Sequence, residues 1–529
     1  MRINKENIHE NRMKCSNTMQ ITLDDDFNVP DSKPDIDSIV KECGNVHIDS
    51  VKASGDRAEV TGGLDFALLY IGSRESDGRH LPVKMSGMME INENVNLAQD
   101  SDSTYVTCNA KLEDLTVKTI NSRKISVKAI VSITVMCEEI ADVSIGCEVE
   151  EAEDSDKVQV MTKCVDYTQL AVNLRDNFRI RESVLLASGK PNIAELIWED
   201  VDVRSLNTRL TDDGMSLNGE LCIFIMYLAE DETQSVQWYE TTVAFEGTLD
   251  INGCNPDMIS YVKYNIMSVN VEAKPDYDGE NREIAVEMVL DLDVKAYEEK
   301  QKDMICDMYS PIKSVQLQTE PASFKRLLVR NNSKCRAQDR IKVNDYVNML
   351  QICNCTGTAQ VDDVTVEEDG LQVDGAILIN VFYVTSDDNA PMGSIRAAVP
   401  FSNKIQVKTT ENMEYNINVM IEQLTAVMTG SSEMEVKGSV SLDTICFEPY
   451  TMQAAMECSV DPYEEEEFLK FPSIIGYIAN GEDTLWDIAK KYHTTTDSIR
   501  NGNHAVTDRI SDESRVKRGD KLLLVKSAR

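Results

Sequence analysis

Histidine is the first residue type to test for chemistry, because its imidazole titrates near neutral pH and ligates metals. The five present, His9, His47, His80, His493 and His504, have no metal-ligand spacing to one another or to a cysteine. The 14 cysteines form no CxxC pair, and the closest two are Cys353 and Cys355. No phosphate-cradling GxxxxGK loop followed by Ser or Thr, no GxGxxG turn and no GxSxG elbow occurs. Asp and Glu total 91, so a carboxylate pair at any given spacing arises by chance. No catalytic residue, no metal ligand and no cofactor is therefore expected, and the chain reads as a non-enzyme. What remains is binding chemistry, and it concentrates in "GEDTLWDIAKKYHTTTDSIRNGN". Here Trp486 offers the kind of side chain favoured at binding surfaces, and Asp483, Thr484, Thr495 and Asn503 offer polar groups at the ends of short helices. These five are the candidate partner- or glycan-binding residues.

The elements that must position them form a small α+β unit over residues 472–526. A short strand around Tyr477 leads to a helix capped by Asp483 or Thr484. A second short helix follows the Thr494–Thr496 run, and "KLLLV" closes as a strand, giving a βααβ order. The stretch "DPYEEEEFLKFP" within residues 456–471 reads as an acidic solvated linker. Tyr477, Asp483, Thr484, Leu485, Trp486, Ile488, Ala489, Asn503, Gly519, Leu522 and Leu524 together resemble a LysM domain. That resemblance implies a shallow groove for N-acetylglucosamine glycans between the first strand–helix loop and the loop after the second helix. Glu482 in place of the usual Gly, Gly502 near a usually apolar position, and the longer "HAVTDRISDESR" all fall near those loops. The departures put a protein partner ahead of a glycan.

The rest of the chain repeats itself. "VTGGLDFALLY", "LNGELCIFIMY" and "VDGAILINVFY" each carry a Gly eight residues before a Tyr, and Tyr70, Tyr227 and Tyr383 are 157 and 156 residues apart. A period that long is a domain rather than a solenoid repeat. Leu64, Phe66, Leu68 and Tyr70 alternate onto one face, as do Leu221, Ile223, Ile225 and Tyr227, and Ile377, Ile379, Val381 and Tyr383. The period of two predicts half-buried strands, with the preceding Gly at a turn or bulge. A second alternating strand recurs downstream in "KISVKAIVSITV", "EIAVEMVLDLDV" and "EMEVKGSVSLDT". Pro34 and Pro191, followed by apolar residues such as Ile36, Ile39 and Val40, predict a short helix or turn. The third copy has Val347 there and no Pro.

The expected fold is therefore mainly β: three tandem antiparallel, β-rich, sandwich-like repeat domains at 14–150, 160–305 and 320–455, then the linker and the α+β module. The 53 Lys and Arg residues leave a formal net charge of −38. Residues 472–529 hold 8 acidic and 10 basic residues, so the first 471 carry 83 acidic against 43 basic. Such a field repels phosphate backbones, which argues against nucleic acid. It is also expected to keep the three repeats from packing closely. Neither a secretory leader nor a run of about 18 apolar residues is found, so a cytoplasmic protein without transmembrane segments or disulfides is expected.

The "KPDI" turn, the Gly-to-Tyr strand and the late "NSRKISVKAIVSI" strand, used in tandem, resemble SPOCS domains of spore-forming Firmicutes. Three of them followed by a LysM domain resemble the SipL-type spore coat morphogenesis proteins. That resemblance implies a sporulation role in the mother cell, at the forespore surface within the spore coat. It also implies that the LysM domain binds the coat ATPase, stage IV sporulation protein A, with other coat proteins as further partners. The alternative is a LysM protein that holds peptidoglycan of the cortex or cell wall.

Overall fold

The computed structural model describes residues 2–73, 80–97, 105–150, 157–232, 234–343, 348–387, 390–463, 470–507 and 515–526. Val347, the acidic run 464–467 and part of the "HAVTDRISDESR" stretch lie outside the described residues. Each repeat contains six strands in two three-stranded antiparallel sheets. In the first repeat β1 (Ile3–Asn28), β6 (Lys124–Val149) and β5 (Tyr105–Asn121) form one sheet, with β6 central. β2 (Ile36–Ser54), β3 (Arg57–Ser73) and β4 (His80–Asn96) form the other, with β3 central. The second repeat copies this with β7 (Gln159–Leu185), β8 (Ile193–Thr211), β9 (Gly214–Ala229), β10 (Val236–Asp250), β11 (Ile259–Pro275) and β12 (Asn281–Tyr309). The third uses β13 (Lys313–Lys342), β14 (Met349–Glu367), β15 (Gly370–Thr385), β16 (Met392–Gln406), β17 (Glu414–Met428) and β18 (Glu433–Pro462). β2, β8 and β14 begin 157 and 156 residues apart, the period read from the tyrosines.

The predicted faces are the inner faces. Leu64, Phe66, Leu68 and Tyr70 of β3 pack with Ile125, Val127 and Ala129 of β6, and the equivalent residues fill the cores of the other two repeats. Gly62, Gly219 and Gly375 each face a β-bulge in the neighbouring strand. A Cβ on Gly62 would fall inside contact distance of the His47 carbonyl, and one on Gly375 would meet the Gln360 carbonyl. The glycine is thus the hollow into which the bulged strand leans.

Of the helix or turn expected at Pro34, the turn is what forms. No helix forms after Pro34, because β2 starts at Ile36. Register shifts at Ile36/Ser38 and Ile39/Lys41 insert extra residues into the strand, and the same two shifts recur in β8 and β14. Two bulges three residues apart convert a period of two into the i, i+3, i+4 spacing that mimics a helix. The repeated Tyr then anchors the Pro turn: the Tyr70 hydroxyl donates to the Pro34 carbonyl at 2.9 Å and that of Tyr227 to the Pro191 carbonyl at 3.1 Å. Arg123 donates to the carbonyls of Val29, Pro30 and Lys33, and Arg282 to those of Ala187 and Lys190, clamping the same turn in both copies.

The repeats pack closely, contrary to the expectation from net charge. The outer faces of the β2–β4, β8–β10 and β14–β16 sheets meet in a shared core: Val40, Leu69 and Ile71 from the first repeat, Trp198, Phe224 and Met226 from the second, Cys353 and Phe382 from the third. Beyond the three-stranded region, β1/β6, β7/β12 and β13/β18 continue as two-stranded ribbons. Their inner residues, among them Ile8, Ile145, Tyr167, Met304, Phe324 and Ala454, form a second shared core. Specific pairs offset the repulsion at these contacts. Lys295 and Glu138 meet at 2.7 Å, Lys302 and Glu6 at 2.5 Å, Arg396 and Glu42 at 3.0 Å, and Lys84 pairs with Glu199. Lys41, only 2% exposed, meets Asp200 at 2.6 Å, and the Asn354 amide donates to the same carboxylate at 2.9 Å. Net charge acts over the whole surface, whereas a contact is decided by its own partners and buried area.

Candidate functional site

The C-terminal module contains β19 (Ile474–Ile478), α1 (Leu485–Lys491), α2 (Thr496–Gly502), α3 (His504–Thr507) and β20 (Lys521–Val525). The short third helix falls in the stretch read as an insertion. Ala479, Leu485, Ile488, Ala489, Ile499, Val516, Leu522 and Leu524 form its core.

Four of the five candidate side chains are occupied in holding this frame. Thr484 caps α1, its hydroxyl accepting from the Asp487 amide while the Asp487 carboxylate accepts from the Thr484 amide, a closed capping box. Thr495 caps α2 through the Ser498 amide at 3.1 Å. Asp483 accepts the Tyr477 hydroxyl, and its own carbonyl accepts the Val516 amide at 3.0 Å. Burial first, and then that carboxylate, push the Tyr477 phenol up to about 12. Asn503 ends α2 and ties it to β20: its amide donates to the Ile499 and Leu523 carbonyls at 2.8 Å, and its oxygen accepts the Leu523 amide at 2.7 Å.

Trp486 points elsewhere. It is 7% exposed, and its indole nitrogen donates to the Asp307 carboxylate of β12 at 2.8 Å. The Tyr309 ring stands edge-on to it at 4.7 Å, and the Tyr309 hydroxyl donates to the Thr494 carbonyl at 3.1 Å. Lys490, one turn further along α1, pairs with Asp307 at 2.7 Å. The α1 face thus seats the module on the end of the second repeat's ribbon, and Trp486 is the residue at the centre of that seat.

The exposed chemistry of the module lies on the sheet. In a two-stranded sheet over a helical core, alternate residues face out, and here they are apolar: Ile474 is 66% exposed, Ile478 65%, Leu523 50% and Val525 44%. Ile474 pairs directly with Val525, and Gly476 with Leu523, so the four side chains share one face. Residue-type reasoning missed them, although the signal was present in "SIIGYI" and "KLLLV", where apolar residues occupy both phases of the alternation. Nearby, burial and the Lys526 ammonium hold the His493 imidazole below its usual range. Among the described residues no group of three or more His, Cys, Asp and Glu side chains is placed to hold a metal ion, and no helix is long and apolar enough to cross a membrane.

Comparison with known families agrees with this geometry. The family model described as SipL, SPOCS domain matches residues 35–120, 192–274 and 348–429. Each match runs from β2 to β5 or its equivalents and leaves out the long first and last strands of the repeat. The LysM domain model matches residues 478–523. A search of curated proteins and a search of solved structures returned no match. With three SPOCS domains in tandem and a LysM domain after them, the chain belongs to the SipL-type family.

Proposed function

We propose that the protein is a non-enzymatic adaptor of spore coat morphogenesis that docks the coat ATPase, stage IV sporulation protein A, through its LysM domain. The observation that carries this reading is the outward apolar face of Ile474, Ile478, Leu523 and Val525 on a module whose other large anchor, Trp486, is already occupied. A cluster of large apolar side chains held in water by a rigid sheet fits a protein partner better than a sugar, which needs polar groups at fixed positions. Asp483, Thr484, Thr495 and Asn503 each make side-chain hydrogen bonds within the module, so in this reading they shape the face and Trp486 fixes its position on the body. The SPOCS repeats, packed through shared cores, present the module as one piece at the forespore surface in the mother cell.

The test compares two partners for the full-length protein: capture of purified coat ATPase and co-sedimentation with insoluble peptidoglycan. Retention of the ATPase without sedimentation is expected. Sedimentation without ATPase capture would overturn the adaptor reading in favour of a glycan-binding protein.

A further inference from the structure

A cavity of about 90 Å³ lies where the three repeats meet, walled by β1 and β6, by β11 and β12, and by β17 and β18. Its polar lining is unbalanced in a specific way. Among the described residues the Tyr261 hydroxyl, on a residue 4% exposed, has no hydrogen-bond partner, nor have Asn11 Oδ1 and Asp293 Oδ1. Lys263 stands directly across the β11/β12 pair from Asp293, yet no ion pair joins them. Its ammonium instead lies 5.6 Å over the Tyr261 ring, with no hydrogen-bond partner among the described residues. The other charges facing the cavity are matched: Lys295 with Glu138 at 2.7 Å, Lys325 with Glu414 at 2.8 Å, and Glu10 with Arg12 at 2.7 Å.

A half-buried carboxylate and a half-buried ammonium that attract each other across a strand pair without meeting in an ion pair leave hydrogen-bonding capacity unused, which costs free energy. Burial, the largest effect on each, pushes the Asp293 carboxyl up and the Lys263 amine down, and their attraction for each other, with that of Lys295 for Asp293, offsets this only in part. The orphan groups divide into two sets. Asp293 and Asn11 present acceptor oxygens, whereas Lys263 and Tyr261 present donors. A single molecule that satisfies both sets carries an ammonium and a carboxylate together. A single water needs about 10–15 Å³ of such space, so the cavity holds several waters and has room for a small molecule of this kind.

We propose that this junction is a binding site for a small α-amino acid. The ligand ammonium sits against Asp293 and Asn11, and its carboxylate against Lys263 and Tyr261. Met13, 57% exposed, and the half-exposed Glu414 mark the mouth. Because the walls come from all three repeats, the ligand would tie them together.

The experiment uses full-length protein and titration calorimetry, supported by thermal melting, with glycine, alanine and serine as probes. Acetate and methylamine serve as the two halves of the ligand. At least one amino acid is expected to bind saturably and raise the melting temperature, while neither half does so alone. Tyr261→Phe, which keeps the ring, is expected to weaken binding about tenfold to hundredfold, the loss for a hydrogen bond to a charged group. Asn11→Leu, on a more accessible strand, supplies the same comparison should Tyr261→Phe not fold. Binding of none of the three probes, equal binding of a half-ligand, or binding unaffected in a folded variant would each overturn the proposal, the first leaving a cavity filled by water.

Discussion

Phe382 tests whether the three repeats share a core or merely follow one another. It lies on β15, on the face opposite the third repeat's own core, and would be a solvated phenylalanine if that repeat stood alone. In the full chain it is 1% exposed, and its ring meets Phe224 of the second repeat edge-on at 6.3 Å. Truncating a fully buried aromatic to alanine costs about 3–5 kcal/mol. The same change at an exposed site stays within about 0.5 kcal/mol. Leu350, 60% exposed on the adjacent β14, provides that control. Two of the three tryptophans, Trp198 and Trp238, belong to the same cluster as Phe382, so intrinsic fluorescence reports on it. With a urea m value of about 3 kcal/mol per molar, Phe382→Ala should lower the midpoint of this signal by about 1 M or more, and Leu350→Ala by a small fraction of that. Equal midpoints for the two variants would refute the shared core.

Three further outcomes follow from particular contacts. Lys41→Met leaves the Asp200 carboxylate with only the Asn354 amide in an enclosed site, and should cost about 3–5 kcal/mol; Lys41→Met combined with Asp200→Leu should recover most of it, and a double variant as unstable as the single one would contradict the pairing. Burial, then Asp200, raise the Asp202 carboxyl to about 6 against partial relief from Arg204 and Lys41; its unfolded value is about 3.9. The folded state therefore holds this proton more tightly, so its contribution to stability is greatest below the unfolded value and falls as pH rises through about 6. Asp202→Asn should raise the unfolding midpoint at neutral pH and leave it unchanged near pH 4, and an equal effect at both would count against the assignment. Asp307→Ala removes the acceptor of Trp486 and the partner of Lys490; it should loosen the LysM seat, seen as a red shift and faster quenching of Trp486 fluorescence, whereas an unchanged spectrum would place the seat elsewhere.

How much of this was legible in the sequence depends on which physical signal each feature leaves. The Gly-to-Tyr strand announces itself because a sheet face has a period of two, and Leu64 to Tyr70 and its copies obey it. The shared core left a signal in the same stretches: "FALLYI", "IFIMYL" and "INVFYV" are apolar in both phases, the pattern of strands covered on both sides. Attention to one phase hid the second. The helix offered as one reading after Pro34 misled for a definite reason, since paired bulges produce helical spacing in a strand. Arg123 and Arg282 hold the Pro turns across 90 and 95 residues of separation, and no local pattern marks such a contact. In the LysM domain, Asp483, Thr484, Thr495 and Asn503 were readable as helix-end residues by type, but the side on which Trp486 meets the body depends on where β12 ends, which only the assembled ribbons determine.

The central claim is that the outward sheet of the LysM domain is the docking face for the coat ATPase. It is tested most directly by the equilibrium affinity of the full-length protein for that ATPase, measured for the native chain and for Ile478→Glu and Leu523→Lys. Both positions are at least half exposed, so each variant should keep the native melting temperature. The account predicts that each weakens binding about tenfold or more, roughly 1.4 kcal/mol or above. Native affinity in both folded variants would contradict it.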